Sequence, residues 1–308
     1  MEFGRVEPHE IKAIDFTLPP DGKQTLLTLN KTTGKVSPHF YVGCAKWGRK
    51  EWVKLIYPDK TKEKDFLGEY VKHFNSIELN AVFYGIPKEA QIEKWKAMAE
   101  ANTNRDFIFC PKFSSAITHI KRLNNADIET DLYIKAVSAF GKMLGPCFLQ
   151  VNDNFGPKNL TVLEAYLTKL PTDLKLFVEV RHKDWFEDLN ARKELFAMLA
   201  RLGKGAAITD ASGRRDCLHM ELTTPEAFIR FVGNGKTFLE SDRARVDEWV
   251  IRLGHWLNLG LEKIYFFLHQ HDETDTPLIA DYTIKKFNEK LGSQLQRINF
   301  IEQQGGLF

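Results

Sequence analysis

Short apolar runs recur along most of the chain, most of them carrying a polar or reactive residue at or near the end: YVGC at 41–44, NSIELN at 75–80, FIFCPK at 107–112, CFLQ at 147–150, LFVEVR at 176–181, AAITD at 206–210, FIRFV at 228–232 and IYFFLH at 264–269. They are rich in β-branched and aromatic side chains, the composition of strands. Between most of them apolar residues return with helical spacing, as at Val246, Trp249, Val250, Leu253, Trp256 and Leu257. Ser241 and Gly260 read as the caps of that helix. Thr276-Pro277 opens another, with threonine as N-cap and proline at the first helical position, where its missing N–H costs nothing. Strands alternating with helices predict a parallel sheet. Eight such units in roughly 250 residues match a closed TIM (β/α)8 barrel forming a single domain; an open doubly wound sheet is the alternative.

The pattern divides the chain into an N-terminal arm at 1–39, the barrel at 40–291 and a C-terminal tail at 292–308. Turn signals at Pro19-Pro20-Asp21-Gly22 and Thr33-Gly34 bracket the alternating stretch TLLTLN, which predicts a hairpin closing the barrel floor. One unit is irregular: seventeen residues separate Asp210 from Phe228, too few for a full covering helix. The connection after the first strand is long and carries Trp47, Trp52 and Tyr57; barrels place function in such loops.

Composition narrows the classes. Forty-three Lys plus Arg against forty-one Asp plus Glu leave a formal charge of +2, too little to mark a protein that coats nucleic acid. Cys44, Cys110, Cys147 and Cys217 have no metal-binding spacing, and three of them fall in predicted strands, which fits a reducing cytoplasm. No stretch approaches the ~18 apolar residues of a membrane span.

Side chains alternate across a strand, so parity sorts them. Glu78 and Asn80 share one face, Ile77 and Leu79 the other; Glu179 and Arg181 oppose Val178 and Val180. The same parity assigns Cys44, Lys112, Gln150, Asp210, Arg230 and His269 to the interior, near the carboxyl ends of their strands, where barrel enzymes keep their chemistry. Three carboxylates (Glu78, Glu179, Asp210), three cations (Lys112, Arg181, Arg230) and a histidine would then meet at the mouth. Buried charges must pair with one another, with water or with a ligand, so a salt-bridge plug is the competing reading.

Within VEVRHKDWF, Glu179 and Arg181 are followed by His182 and Trp185, an inventory for acid-base work or anion binding. IELNAVFYGIP adds Asn80 and Tyr84 as pocket lining, with packing an equal alternative for Tyr84. FIFCPKFSSAITH supplies Lys112 and His119. A desolvated lysine among cations can act as a Schiff-base nucleophile, although binding an anion or pairing with Glu78 or Glu179 is the preferred role for Lys112. His269 and His271 could offer two metal ligands, against which three nearby cations argue, so no cofactor is expected and a divalent metal is the alternative.

The order and spacing of GCAKWGRKEWVKLIYP, IELNAVFYGIP, FIFCPKFSSAITH, LGPCFLQVNDNFGP and VEVRHKDW resemble the YecE-like family, bacterial TIM-barrel proteins grouped as domain of unknown function 72. The resemblance covers roughly 40–290. It implies the barrel and marks Glu78, Asn80, Tyr84, Lys112, His119, Glu179, Arg181, His182, Trp185 and Asp210 as the matching positions, but implies no reaction. The chain departs from the family's pattern at QVNDN after the fourth strand and at HQHDETD on the last, which affects Gln150, His269 and His271. Its final residues, Gln304 to Phe308, resemble the Gln-x-x-Leu-Phe peptide by which bacterial polymerases and repair factors dock on the DNA sliding clamp, through Gln304, Leu307 and Phe308.

Together these features predict a cytoplasmic hydrolase or lyase acting on a small anionic or phosphorylated substrate. Arg181, Arg230 and Lys112 would hold the anion, Glu179 or Glu78 would move a proton, and His182 would assist. Retaining sugar hydrolysis is disfavoured because the fourth and seventh strands end in Gln150 and Arg230 rather than acids. Metal-dependent isomerase or nuclease chemistry remains open through Glu78, Glu179, Asp210 and His269. The alternative class is a clamp-associated protein of DNA metabolism recruited by the tail.

Overall fold

The computed structural model describes residues 4–30 and 37–301. Eight parallel strands form the wall: β1 His39–Cys44, β2 Ser76–Leu79, β3 Ile108–Pro111, β4 Cys147–Gln150, β5 Leu176–Glu179, β6 Gly205–Asp210, β7 Glu226–Gly233 and β8 Lys263–Gln270. Their order is β3-β2-β1-β8-β7-β6-β5-β4. The two outer members meet through the parallel bridges Phe109↔Leu144 and Lys112↔Phe148, with the Phe113 amide donating to the Phe148 carbonyl at 2.8 Å. The ring is thereby a TIM-like barrel, as the eightfold pattern predicts.

Two cores follow from strand alternation. The larger lies between strands and helices and includes Ile77, Leu79, Val178, Ile208, Ile229 and Leu268. The smaller fills the barrel interior with Cys110, Phe148, Phe177, Ala207, Phe228, Tyr265 and Phe267. Large rings are accommodated beside small residues: a Cβ on Gly205 would lie 2.2 Å from the Phe177 ring. The aromatic layer is the floor on which the polar ends of the strands rest.

The long helix spans Leu239–Asn258 and buries Val246, Trp249, Val250, Leu253 and Trp256, the stripe read from the sequence. It begins earlier than expected, so Ser241 lies inside it rather than capping it. The last helix, Thr276–Leu291, has Asp275 as N-cap, one residue before the expected Thr276, and ends at Gly292 in the left-handed conformation with φ 72°.

The expected N-terminal hairpin is instead a helix, Lys23–Leu29, whose Thr25 and Leu29 are buried at i and i+4. It occupies the gap left by the irregular unit. The connection from β6 to β7 holds only a short 3₁₀ segment, Ser212–Cys217, and then runs beside the arm. Thr25 Oγ1 donates to the Met220 carbonyl at 2.6 Å and accepts from the Leu222 amide at 2.7 Å. On the other side, Asp21 accepts from Arg252 and from Trp256 at 3.0 Å, tying the arm to the long helix. The sequence pattern could not reveal this, because the covering helix comes from nearly two hundred residues upstream of the segment it covers.

Of the aromatic residues in the long connection after β1, Trp52 and Tyr57 are fully buried, and Trp52 Nε1 donates to the Glu273 carbonyl at 3.0 Å. They pack this loop against the top of β8 rather than lining the mouth.

Candidate functional site

The deepest polar layer is built on Arg230 of β7. Its Nε and Nη2 donate to the two oxygens of Glu78 at 2.7 and 2.9 Å, and Nη1 donates to Glu179 Oε2 at 2.8 Å. Asn80 Nδ2 donates to Glu78 Oε1 at 2.9 Å, and His269 Nε2 donates to Glu78 Oε2 at 3.2 Å. Arg181 Nε donates to Glu179 Oε1. Each carboxylate oxygen of the pair therefore has a partner. Burial by itself would raise the pKa of Glu78, but Arg230 and then His269 outweigh it and hold the group well below the usual carboxylate range. For Glu179 the opposing charges of Arg181 and Arg230 likewise overcome burial, bringing it down to about 2. Both groups are ionised structural anions at neutral pH and poor proton acceptors, so the expected proton-moving role of Glu78 and Glu179 does not suit them.

Lys112 sits above this layer, 9% exposed. Its Nζ donates to Gln150 Oε1 at 2.7 Å and lies 4.2 Å from the centre of the Phe83 ring and 5.6 Å from that of Phe148. It pairs with neither Glu78 nor Glu179, contrary to one of the expected arrangements, because both are already engaged. Burial, then the charge of Arg230, lowers its pKa to about 7, with Glu179 and Glu78 opposing and Arg181 adding to the fall.

That value has a stability consequence. Between about pH 7 and the ordinary lysine value of 10.5, Lys112 binds fewer protons folded than unfolded, so the wild type should gain stability relative to Lys112→Met as pH rises through this window, by at most about 1.4 kcal/mol per pH unit, and should not diverge from it further below pH 7. Chemical denaturation at pH 6, 8 and 9.5 measures this; parallel curves would mean that Lys112 stays protonated throughout.

His119 stands on a π-helical turn, Ala116–Ile120, just beyond β3; such turns favour functional positions. Its Nδ1 lies 2.8 Å from Thr118 Oγ1, and its ring packs edge-on against Phe83 with centroids 5.1 Å apart. Burial, then Lys112 and Arg181, lowers its pKa, which keeps it neutral. The following loop holds Arg122, Leu123 and Asn125 at positive φ, a strained backbone of the kind found at ligand clamps.

The remaining expected residues separate. Tyr84 is 83% exposed at the rim and packs on Phe83. His182 is half-buried and borders a groove of about 740 Å³ with Asn154, Lys158, Asp184 and Glu187. Trp185 is fully buried, its Nε1 donating to the Phe155 carbonyl at 2.7 Å, so it pins the loop after β4 rather than touching the mouth. Gln304, Leu307 and Phe308 lie outside the described residues.

Asp210 is the main correction. It points outward beneath the long helix, where it accepts from Trp249 Nε1 at 2.8 Å and pairs with Arg245 at 2.9 Å and with Arg215. The inward residue is Thr209, set beside Arg230 in the sheet register. Cys44 errs in the same way: it belongs to the outer core while Gly43 faces in. A one-residue slip exchanges the faces of a strand, and in AAITD the ionisable end residue drew the assignment. Ala206 and Ile208, both in the outer core, were the signal that could have corrected it. The Thr209 hydroxyl is buried and has no hydrogen-bond partner among the described residues.

His269 spends its Nε2 on Glu78, so the HxH pair weighed as an alternative metal site does not present two free rings on one face. Among the described residues no group of three or more His, Cys, Asp or Glu is placed to hold a metal ion, and no helix is long and apolar enough to cross a membrane.

The family described as "Protein of unknown function DUF72" matches residues 41–300. The chain belongs to this family. It is 27% identical over 286 residues to UPF0759 protein YecE of Escherichia coli (strain K12), covering 87% of this chain and 99% of that protein. Two solved DUF72 proteins share its fold. One, from Enterococcus faecalis V583, has TM-score 0.62 at 17% identity, covering 82% of this chain and 98% of that one. The other, from Thermotoga maritima MSB8, has TM-score 0.60 at 23% identity, covering 82% and 99%. DUF72 membership thus agrees with the resemblance read from the motifs, and the solved relatives agree with the barrel.

Proposed function

We propose that the barrel mouth is the active site of an enzyme acting on a small anionic or phosphorylated substrate. The observation that carries this reading is Lys112, a nearly buried amine at the open end of the barrel whose hydrogen-bond partner is an uncharged amide. Four carboxylate oxygens lie below it, all engaged elsewhere. An arriving anion would give Lys112 the counter-charge that the protein withholds, at low cost because the site is already desolvated. Arg181, 8% exposed and paired with Glu179 and Asp153, is a second cation close enough to act on Lys112.

Of hydrolase and lyase chemistry, the arrangement favours the lyase. A hydrolase would use Glu78 or Glu179 to activate water, and both are held as ion-paired anions. Lys112, with its pKa brought down to about 7, suits proton transfer near neutrality, and His119, its pKa lowered chiefly by burial, is a neutral imidazole able to accept a proton.

Sulfate and a triose phosphate, titrated separately into the full chain, should raise its melting temperature in a saturable way, more at pH 6.5 than at pH 8.5 because a bound anion stabilises the protonated amine. In Lys112→Met and Arg181→Gln the apparent affinity should fall about tenfold or more, ~1.4 kcal/mol each. Equal shifts in wild type and Lys112→Met would overturn the reading.

A further inference from the structure

We infer that Lys112 is a covalent centre whose amine forms an imine with the carbonyl group of an anionic aldehyde or ketone. This rests on the reading of the mouth as an anion site and names its substrate class.

The argument is geometric. Lysines buried in proteins are ordinarily held as ammonium ions by a carboxylate. Here Arg230, Arg181, His269 and Asn80 take up the carboxylates of Glu78 and Glu179. The amine is left between the Phe83 and Phe148 rings with Gln150 as its hydrogen-bond partner. Below it the Arg230 guanidinium stacks 4.6 Å from the same Phe148 ring, an arrangement that disfavours a second positive charge. Desolvation and a neighbouring cation are what turn a lysine into a nucleophile. The pKa of about 7 agrees, since much of the amine is then neutral at physiological pH.

Other groups around the mouth fit the rest of the reaction. Arg181 can hold the substrate's anionic group. The buried Thr209 hydroxyl, without a partner among the described residues, is an inward polar group awaiting one. His119 engages Thr118 through Nδ1, which leaves Nε2 for proton exchange.

In the proposed step the neutral amine adds to the carbonyl carbon, giving a carbinolamine. Its C–O bond then breaks and the oxygen departs as water with the two amine protons, leaving C=N. The imine nitrogen takes one further proton from solvent, becoming the electron sink for cleavage or proton loss at the adjacent carbon. No oxidant or reductant is consumed.

The test is reductive trapping. The full chain is incubated with dihydroxyacetone phosphate, or with its uncharged analogue hydroxyacetone, in the presence of sodium borohydride, and adducts are located by peptide mass mapping. The phosphate compound should label Lys112 at least about tenfold more than any surface lysine and than hydroxyacetone does. Labelling of the chain above the surface-lysine level should vanish in both Lys112→Met and Lys112→Arg, the second keeping the charge but unable to form an imine. If sulfate still stabilises the chain in a Lys112-dependent way while no adduct exceeds the surface level, the covalent proposal falls and the anion reading stands. If the melting temperature is also indifferent to anions, both fall.

Discussion

Arg230→Met should destabilise the protein by about 3–5 kcal/mol at pH 7, the cost of leaving buried charges without their partner. The guanidinium is 1% exposed and joins two carboxylates that are themselves 0% and 2% exposed. Removing it leaves Glu78 with His269 and Asn80, and Glu179 with Arg181 alone. Methionine fills much of the volume, so the loss reports charge rather than a cavity. The sign of the pH dependence follows from the shifts. In the wild type both carboxylates have depressed pKa values, so their contribution is present above about pH 4.5 and disappears as pH falls toward 2. In the variant, burial without Arg230 raises the pKa of Glu78, so the deficit should shrink as pH drops from 7 toward 4.5. Adding Glu78→Gln to Arg230→Met should recover part of the loss. Denaturation midpoints measure all three; a single variant within about 1 kcal/mol of wild type at pH 7 would mean that the layer is not the keystone described.

This layer bears on function by dividing labour. A fully paired ionic floor is the salt-bridge plug that the sequence also allowed, and at the depth of Arg230 that reading holds. One layer higher it fails, because Lys112 is not absorbed into the network. The floor instead supplies a fixed field: Arg230 and Arg181 push the amine toward its neutral form while the two carboxylates limit how far. Such preorganised charge is worth more in a desolvated mouth than in water.

How much of this could be read from the chain depended on local rules. CFLQ at 147–150 coincides with β4 because a short apolar run offers few registers. Glu78, Lys112, Gln150, Glu179, Arg230 and His269 came together because parity within each strand is fixed by its apolar neighbours. Parity is a poor guide to Asp210, whose strand ends in alanine and threonine on one face and alanine and isoleucine on the other, a weak contrast. Partner choice was not legible: nothing in one strand says that Glu78 will chelate Arg230 from a strand 152 positions away. Nor could alternation in TLLTLN distinguish a hairpin from a single helix whose Thr25 and Leu29 alone turn inward.

Deleting residues 1–30 should abolish cooperative folding, because the arm is the missing layer of the barrel wall. Ile11, Leu18 and Leu29 are at most 7% exposed, and burial of each such side chain contributes about 1.5–3 kcal/mol. Their removal also uncovers the apolar surface they protect. Polar losses add to this. The Leu222 amide loses the Thr25 hydroxyl, Asp21 no longer receives Arg252 and Trp256, and Glu221, 6% exposed, keeps Arg192 but loses the Gln24 amide. Against a net stability of roughly 5–15 kcal/mol for a folded domain, the sum is disabling. The arm also reaches the mouth side: the Gly4 carbonyl accepts from the Gly213 amide at 2.9 Å, and the Thr17 carbonyl from Arg215 at 3.0 Å. Removing only residues 1–9 spares Ile11, Leu18 and the helix, and should leave a cooperative transition with a modest fall in melting temperature. Near-UV circular dichroism and thermal unfolding distinguish the two truncations, and a 31–308 chain with wild-type melting behaviour would show that the barrel closes without its N-terminal helix.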